Sequence, residues 1–159
     1  MEAIPDYFAF QEGREATVEC AVASSIRHNV PANLLLAIRQ AEGGKNGMVR
    51  KNRNGSTDHG TMQWNNRSIG DYRQYGITVH HVSSDGCYAL DLAAYRLAKH
   101  LAEPTGTFWE RAARYHSVSA EPNQRYQSII RPLAARWAQK LRRLYPSTAL
   151  APIDIRGIN

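Results

Sequence analysis

The sequence lacks the features that would place it in a membrane or among disordered chains. Among its 159 residues, no apolar run approaches the ~20 residues that a membrane-spanning helix needs. Hydrophobic residues make up 43% and charged residues 21%, which is the balance of an ordinary globular protein. A chain of this length is predicted to form one domain with one sizeable core.

Two scarce features bear on the compartment in which the protein works. The first residues, MEAIPDYFAFQEG, lack the apolar stretch of a secretory signal, so an exported protein would already have lost its signal. Cysteine occurs only at Cys20 and Cys87. An even count far apart in the sequence permits one disulfide in an oxidising compartment, and two unlinked core thiols are an equally good alternative.

The six histidines do not form a metal-binding pattern. His80 and His81 are adjacent rather than three or four residues apart, and no cysteine or histidine pair has the spacing of a zinc finger or of HExxH. The sequence therefore predicts no metal site and no cofactor.

The net charge of +6 favours an anionic partner, either a nucleic acid, a membrane surface or a cell-wall polymer. A group of basic residues lies on the last predicted helix: Arg125, Arg131, Arg136, Lys140, Arg142 and Arg143. These residues surround an apolar stripe, so a solvated helix face explains them without a ligand. We therefore expect no nucleic-acid binding.

Helical periodicity dominates the chain and predicts a mainly α (α+β) domain over residues 12–145, followed by an irregular tail at 146–159. Predicted helices cover residues 12–29, 31–42, 65–75, 88–102, 108–116 and 123–144. The last of these has its apolar positions at Ile129, Ile130, Leu133, Trp137 and Leu141. Residues 48–61, with the turn pair Asn54-Gly55, predict a small β-hairpin or an ordered loop.

Glu42 is the most informative single residue. It follows Leu34 and Ile38 at steps of four residues, so a carboxyl group ends an otherwise apolar helix stripe. Burial and the negative end of the helix dipole both disfavour ionisation there, which raises the expected pKa. A carboxyl that is protonated near neutral pH can act as a general acid. A glutamate that reaches past the helix end into water is the simpler alternative.

Asp58 lies within the polar segment NRNGSTDHGTMQWN, residues 52–65. It follows side chains that can hydrogen-bond a carboxylate and keep it ionised: Asn52, Asn54, Ser56 and Thr57. One carboxyl kept neutral and another kept charged is the arrangement that glycoside cleavage requires. An aspartate that only supports its own turn is the alternative for this segment taken alone.

The order of these motifs resembles the lysozyme superfamily. The apolar helix ending in Glu42, followed by NRNGSTDHGTMQWN, is similar to c-type lysozymes. The wider pattern resembles the soluble lytic transglycosylases, especially the small specialised ones that accompany bacterial secretion, conjugation and pilus machines. The matching pieces span about residues 17–138 and read, in order, VPANLLLAIRQAE, GTMQWN, DGC, ARYHS and Tyr126.

The resemblance implies a lysozyme-like fold and a lytic transglycosylase that cleaves the bond between N-acetylmuramic acid and N-acetylglucosamine in peptidoglycan. Its product would carry a 1,6-anhydro end. The implied partners are peptidoglycan glycan strands and components of a secretion, conjugation or pilus assembly. The implied location is the bacterial periplasm, with the signal peptide removed and no transmembrane segment.

The resemblance also implies roles for individual residues. Glu42 would act as acid and then as base, Tyr115 would orient it, and Tyr126 would complete that wall. Cys20 and Cys87 would form a disulfide. Gly60 would allow close approach of the backbone. The substrate-binding residues would be Gly60, Met62, Gln63, Asn65, Tyr115, His116 and Tyr126.

Three positions depart from the transglycosylase pattern. Gly43 replaces a serine, and His116 replaces the more common asparagine. Asp58 is a lysozyme-like residue that many transglycosylases lack. Two alternatives therefore stay open beside the transglycosylase, namely a hydrolytic muramidase that uses Glu42 and Asp58 and a non-catalytic module that binds the cell wall.

Overall fold

The structure is a computed structural model that describes residues 8–146. Helices form most of this part of the chain: α1 (Val18–His28), α2 (Ala32–Glu42), α3 (Asn66–Ile69), α4 (Val79–Ser84), α5 (Gly86–Leu101), α6 (Phe108–Ala113) and α7 (Ala120–Leu144). A 3₁₀ turn at Gly70–Tyr75 continues α3. The predicted mainly α fold is confirmed, and the arrangement is consistent with a single lysozyme-like domain.

One small antiparallel sheet lies between α2 and α3. Its strands are β1 (Val49–Lys51), β2 (Thr57–His59) and β3 (Trp64–Asn65), in the order β1-β2-β3. Gly55 has a φ of 85° in the turn between β1 and β2, a conformation that glycine adopts without strain. The sheet therefore realises the predicted β-hairpin at 48–61 and extends it by a third strand.

Helix α2 is the centre of the core. Every residue from Ala32 to Ile38 is buried, because α7 packs along α2 while α1 and α5 cover its other sides. The α7 stripe that meets the core is Tyr126, Ile130, Ala134, Ala138 and Leu141. The small alanines in this stripe allow the two helices to approach closely.

Ile129, one of the apolar positions of the last predicted helix, lies outside the core. Its side chain is 50% exposed, because the buried α7 stripe runs through Tyr126 and Ile130 in steps of four residues and Ile129 lies beside it. The short helix α4 was also not predicted. It lies between the predicted helices at 65–75 and 88–102.

The predicted start of the first helix at residue 12 is wrong as well. Helix α1 begins at Val18, because the Thr17 hydroxyl accepts a hydrogen bond from the backbone N–H of Cys20 at 3.1 Å and caps the helix. The preceding residues are held by long-range contacts. The Arg14 guanidinium lies 2.8 Å from the buried Asp85 carboxylate, and Gly13 N–H donates to the carbonyl oxygen of Ser84.

Cys20 and Cys87 form a disulfide, as the resemblance implied. The bond joins the first turn of α1 to the first turn of α5, with the two Cα atoms 5.7 Å apart. It thereby fixes two helices that pack against each other in the core.

Within residues 8–146, no helix is both long and apolar enough to cross a membrane. Except for Pro146, the predicted tail at 146–159 lies outside the described residues. The domain bounds of 12–145 stay a prediction.

Candidate active site

Glu42 is the last residue of α2, and the local sequence explains why the helix stops there. Gly43 has a φ of 66° and donates its N–H to the carbonyl oxygen of Arg39, which is the usual left-handed end of a helix. Serine, the residue that the transglycosylase pattern has at this position, adopts that conformation only at a cost. Gly43 therefore fits the helix end that presents Glu42.

The Glu42 carboxyl is partly buried, and its pKa is raised to about 7. Loss of solvation on burial is the main cause, and the negative charge of Asp58 adds to it. A hydrogen bond from Tyr126 and the positive charges of Arg96 and Arg50 act in the opposite direction. Glu42 therefore exchanges its proton near neutral pH, as the sequence predicted from its helix stripe.

Tyr126 reaches Glu42 from α7. Its hydroxyl donates a hydrogen bond to Glu42 Oε1 at 2.8 Å. The Tyr126 ring stacks on the His116 ring, with centroids 4.6 Å apart and planes 9° from parallel. Partial desolvation lowers the pKa of His116, which favours the neutral imidazole beside Glu42 although the residue keeps an exposed face.

Asp58 is held by amide groups on both of its oxygens. Asn52 Nδ2 donates to Oδ2 at 3.0 Å, and Asn65 Nδ2 donates to Oδ1 at 2.9 Å. The strand register brings Asn65 opposite Asp58. The expected hydrogen-bonded carboxylate is present, although one of its two direct donors follows Asp58 in the chain.

The other polar residues of the segment support these donors rather than Asp58 itself. The Ser56 hydroxyl accepts hydrogen bonds from Asn52 Nδ2 and Asn65 Nδ2 at 3.1 and 3.0 Å, and it donates to Asn54 Oδ1 at 2.6 Å. The expected contact from Thr57 is wrong, because its hydroxyl contacts His59 Nε2 at 2.7 Å. In a strand, Thr57 projects to the face opposite Asp58.

Glu42 and Asp58 line one cleft of about 530 Å³. The structure brings four of the predicted substrate-binding residues to the same cleft: Gln63, Asn65, Tyr115 and His116. The remaining lining includes cations and polar groups that the sequence did not single out as site residues, among them Arg50, Ser68 and Arg96. The cleft therefore combines two carboxyls with many hydrogen-bonding groups.

The groove-lining roles of Gly60 and Met62 are not supported by their positions. Met62 is fully buried in the hydrophobic core. Gly60 has a φ of 74°, and a Cβ at this position would collide with the carbonyl oxygen of Val82 in α4. The close backbone approach expected at Gly60 occurs, but it is an approach of the sheet to α4 inside the protein.

Tyr115 lines the cleft but does not hydrogen-bond Glu42. Its hydroxyl is buried and has no hydrogen-bond partner within the described residues. The Arg96 guanidinium lies over the Tyr115 ring at 4.7 Å and donates to the Tyr115 carbonyl oxygen at 2.9 Å. The contact that the resemblance assigned to Tyr115 is thus made by Tyr126.

Gln63 has an unusual backbone and an unpaired buried oxygen. Its φ is 50°, which is uncommon outside glycine, and its side-chain N–H donates to the carbonyl oxygen of Gly60 at 2.9 Å. The side-chain carbonyl oxygen has no partner within residues 8–146.

Arg96 is the main site residue that the sequence did not reveal. It lies on α5, four residues after the buried Leu92, and it is a cation next to the apolar stripe of a mostly buried helix. That pattern is a signal, since an arginine there needs an aromatic or anionic partner. Only the packing of α5 against Trp64 and Tyr115 identifies the partners.

No family model matches the chain. The chain is 32% identical over 100 residues to Protein IpgF of Shigella flexneri, a match that covers 62% of this chain and 65% of that protein. It is 30% identical over 103 residues to Invasion protein IagB of Salmonella typhimurium, with 64% of each chain covered. The chain therefore spans just under two thirds of the length of these curated relatives, one of which is named for invasion.

Proposed function

We propose that the protein is a peptidoglycan lytic transglycosylase that cleaves the β-1,4 bond between N-acetylmuramic acid and N-acetylglucosamine. The observation that carries this proposal is the state of Glu42, a partly buried carboxyl with a pKa of about 7 in the same cleft as Asp58. Two carboxyl groups in unlike environments match the chemistry of glycoside cleavage.

In the first step, protonated Glu42 donates its proton to the glycosidic oxygen, and the bond from that oxygen to C1 of the muramic acid breaks. Positive charge develops at C1 and the ring oxygen. The Asp58 carboxylate, fixed by Asn52 and Asn65, stabilises this charge. The hydrogen bonds hold the carboxylate in place, so little reorganisation is needed as the charge forms.

In the second step, the Glu42 carboxylate takes the proton from the 6-hydroxyl of the same muramic acid. The 6-oxygen then bonds to C1 and gives the 1,6-anhydro sugar without consuming water. The hydrogen bond from Tyr126 favours the charged form of Glu42 and so supports the base role. Burial favours the neutral form and supports the acid role.

A hydrolytic muramidase is the second candidate, and the position of Asp58 in the cleft favours it. There Asp58 would stabilise the charged sugar or bond to C1, and water would complete the reaction. Both Asp58 oxygens already accept an amide hydrogen bond, which weakens them as nucleophiles. We therefore assign Asp58 to charge stabilisation and keep the transglycosylase as the primary proposal.

The place of action that we propose is the periplasm, where the enzyme would open the wall locally for an envelope-spanning secretion, conjugation or pilus assembly. Three observations support this proposal. The net charge of +6 suits an anionic wall polymer, the disulfide suits an oxidising compartment, and one relative is named an invasion protein.

The basic residues of α7 do not require a nucleic-acid partner. Arg125 pairs with Glu121 at 2.7 Å, Arg131 lies over the Trp109 ring, and Lys140 lies over the Trp137 ring. These contacts explain several of the cations on an outer helix face. We therefore do not propose nucleic-acid binding.

Digestion of purified peptidoglycan tests the proposal. Anhydro-muropeptides among the products are expected, whereas new reducing ends would make the protein a muramidase. Release of neither product by the unaltered protein would reject an enzyme and favour a wall-binding module. Glu42→Gln should lower release by at least about a thousandfold, because the general acid and base are both lost.

A matched control for this variant is Glu19→Gln, since Glu19 is exposed on α1 and lies outside the cleft. It removes the same charge from the chain and should leave release unchanged. Equal loss in both variants would point to an effect of net charge rather than to a role of Glu42.

A further inference from the structure

A second concave surface lies outside the cleft, where the end of α1 and the 3₁₀ turn meet α5. It has a volume of about 410 Å³, within the range of small-ligand sites. Four tyrosines dominate its lining: Tyr72, Tyr75, Tyr88 and Tyr95. We refer to the surface lined by these four residues as the tyrosine groove.

The polar groups of the tyrosine groove balance one another in charge. Asp91 contacts the Arg27 guanidinium at 3.3 Å and His28 Nε2 at 2.8 Å. The three side chains are planar, and they place hydrogen-bond donors and acceptors beside the aromatic rings. Because the cation and the carboxylate offset each other, the groove does not depend on ligand charge, and its polar groups can bond to hydroxyl and acetamido groups.

A smaller depression of about 270 Å³ shares lining residues with both the cleft and the tyrosine groove. This depression shares Ser68 and Arg96 with the cleft, and it shares Tyr72 with the groove. The depression therefore lies next to both the cleft and the tyrosine groove.

A row of aromatic contacts fixes the groove relative to the cleft. Ring centroids are 6.3 Å apart between Tyr115 and Trp64, 5.7 Å between Trp64 and Tyr72, and 6.3 Å between Tyr72 and Tyr95. Each pair meets at a steep angle, which is a favourable arrangement for aromatic rings. The groove and the cleft wall thus belong to one packed unit.

We propose that the tyrosine groove binds a distant segment of the same glycan strand that is cut in the cleft. A pyranose ring has an apolar face of C–H groups that packs on an aromatic ring, and its hydroxyl and acetamido groups bond to planar polar side chains. Tyr75 and Tyr95 are 67% and 39% exposed, so their surfaces are accessible to such rings. The identity of the strand as peptidoglycan rests on the proposed function.

Other ligands fit this groove less well. A nucleic acid or an anionic membrane needs cations that are not already paired, whereas Arg27 contacts Asp91 here. An apolar peptide would form no hydrogen bonds with Asp91, Arg27 and His28. A glycan strand uses both the rings and the polar groups, because its sugar rings pack on the tyrosine rings and its hydroxyl and acetamido groups bond to the polar side chains.

The experiment measures binding of two probes to the Glu42→Gln protein, in which strands are not cut. One probe is long peptidoglycan glycan strands freed of peptide by an amidase, and the other is a single disaccharide unit. The groove variants are Tyr75→Ala and Tyr95→Ala. Ile129→Ala is the control, because Ile129 is an exposed apolar residue on α7, outside the groove.

Each groove variant should bind long strands roughly tenfold more weakly, which is the effect of losing one aromatic contact in a binding site. The affinity for the disaccharide in the cleft should not change in the groove variants. This affinity is measured from the shift of the His116 NMR signals. The control should bind both probes as before. Unchanged affinity for long strands in both groove variants would overturn the inference.

A second measurement does not depend on the groove variants being folded. Long strands added to the Glu42→Gln protein should shift the ring signals of Tyr75 and Tyr95, and absence of these shifts would also overturn the inference. The two proposals fail separately. If the tyrosine signals shift but the unaltered protein cuts no peptidoglycan, only the enzyme proposal is rejected. If the unaltered protein cuts peptidoglycan but the tyrosine signals do not shift, only the groove proposal is rejected.

Discussion

The hydroxyl of Tyr126 donates a hydrogen bond to Oε1 of Glu42 at 2.8 Å, although the two residues are 84 positions apart in the chain. The bond favours the carboxylate, and the burial produced by the same helix packing favours the neutral acid. Burial is the stronger effect, so the pKa of Glu42 is about 7. The group can therefore give up and take back a proton near neutral pH.

Replacing Tyr126 with phenylalanine should raise the pKa of Glu42 further. The variant keeps the ring and removes the hydrogen bond that lowers this pKa. Because protonated Glu42 is the acid in the first step, the alkaline limb of the kcat/KM profile should move to higher pH. Profiles of peptidoglycan digestion for both proteins check this, and a limb that moves to lower pH would contradict the assignment.

Replacing Asp58 with asparagine should move the alkaline limb of the kcat/KM profile to lower pH. The charge of Asp58 raises the pKa of Glu42, so its removal lowers that pKa. Release should fall roughly a hundredfold if Asp58 only stabilises charge, and almost completely if it bonds to C1. Initial rates across pH measure both effects, and a limb that stays in place would show that the two carboxyls are not coupled.

Glu42→Gln should make the folded protein more stable above pH 7. The pKa of Glu42 is raised from 4.5 to about 7, so folding favours the neutral form. This contribution is fully favourable below pH 4.5 and is lost as the pH rises to about 7, since the ionised carboxyl is then buried. The gain above pH 7 is at most about 3 kcal/mol. Urea unfolding at pH 4 and pH 8 measures it, and equal gains at both would contradict a buried acid.

The two glycines after Glu42 should differ in their tolerance of alanine. Gly43→Ala should cost about 1 kcal/mol, because alanine is strained at a φ of 66° while space around it is adequate. Gly44→Ala should cost more, because its Cβ would collide with the carbonyl oxygen of Gly60. Thermal unfolding compares them, and the reverse order would show that Gly44 does not lie against the Gly60 backbone.

Replacing both Cys20 and Cys87 with alanine should destabilise the protein by roughly 4 kcal/mol, the loop-entropy effect of a bond that joins residues 67 positions apart. The alanines avoid leaving polar groups in the core. Denaturant unfolding measures the loss. A thiol assay on the unaltered protein, denatured but not reduced, should find no free thiol. Two free thiols would count against the disulfide.

The two carboxyls were predictable because their surroundings are partly local. Leu34 and Ile38 precede Glu42 on one helix face, and Gly43 ends that helix. Asp58 lies among short amide side chains. Its two amide donors, Asn52 and Asn65, are only six and seven positions away in the chain. Residues close in sequence made these environments, so spacing and composition sufficed to identify them.

Met62 and Arg96 show where such reasoning stops. Met62 lies in the GTMQWN motif, for which the resemblance implied a substrate-binding role, yet its side chain is buried in the core. Arg96 lies on a helix in which the sequence revealed no site residue, yet it lines the cleft. The alternation of side chains along a short strand and the rotation of a long helix decide these orientations, and both depend on what packs against them.

The sequence by itself determined the helical character of the chain, the end of α2 at Glu42 and the polar turn that carries Asp58. These features follow from the spacing of apolar residues and from the conformational preferences of glycine, which act over a few residues. Only the tertiary structure decided that Tyr126 rather than Tyr115 bonds to Glu42, and that four tyrosines line a second groove outside the cleft. Those arrangements arise where helices distant in sequence pack together, because the lowest free energy there depends on the shapes of both surfaces.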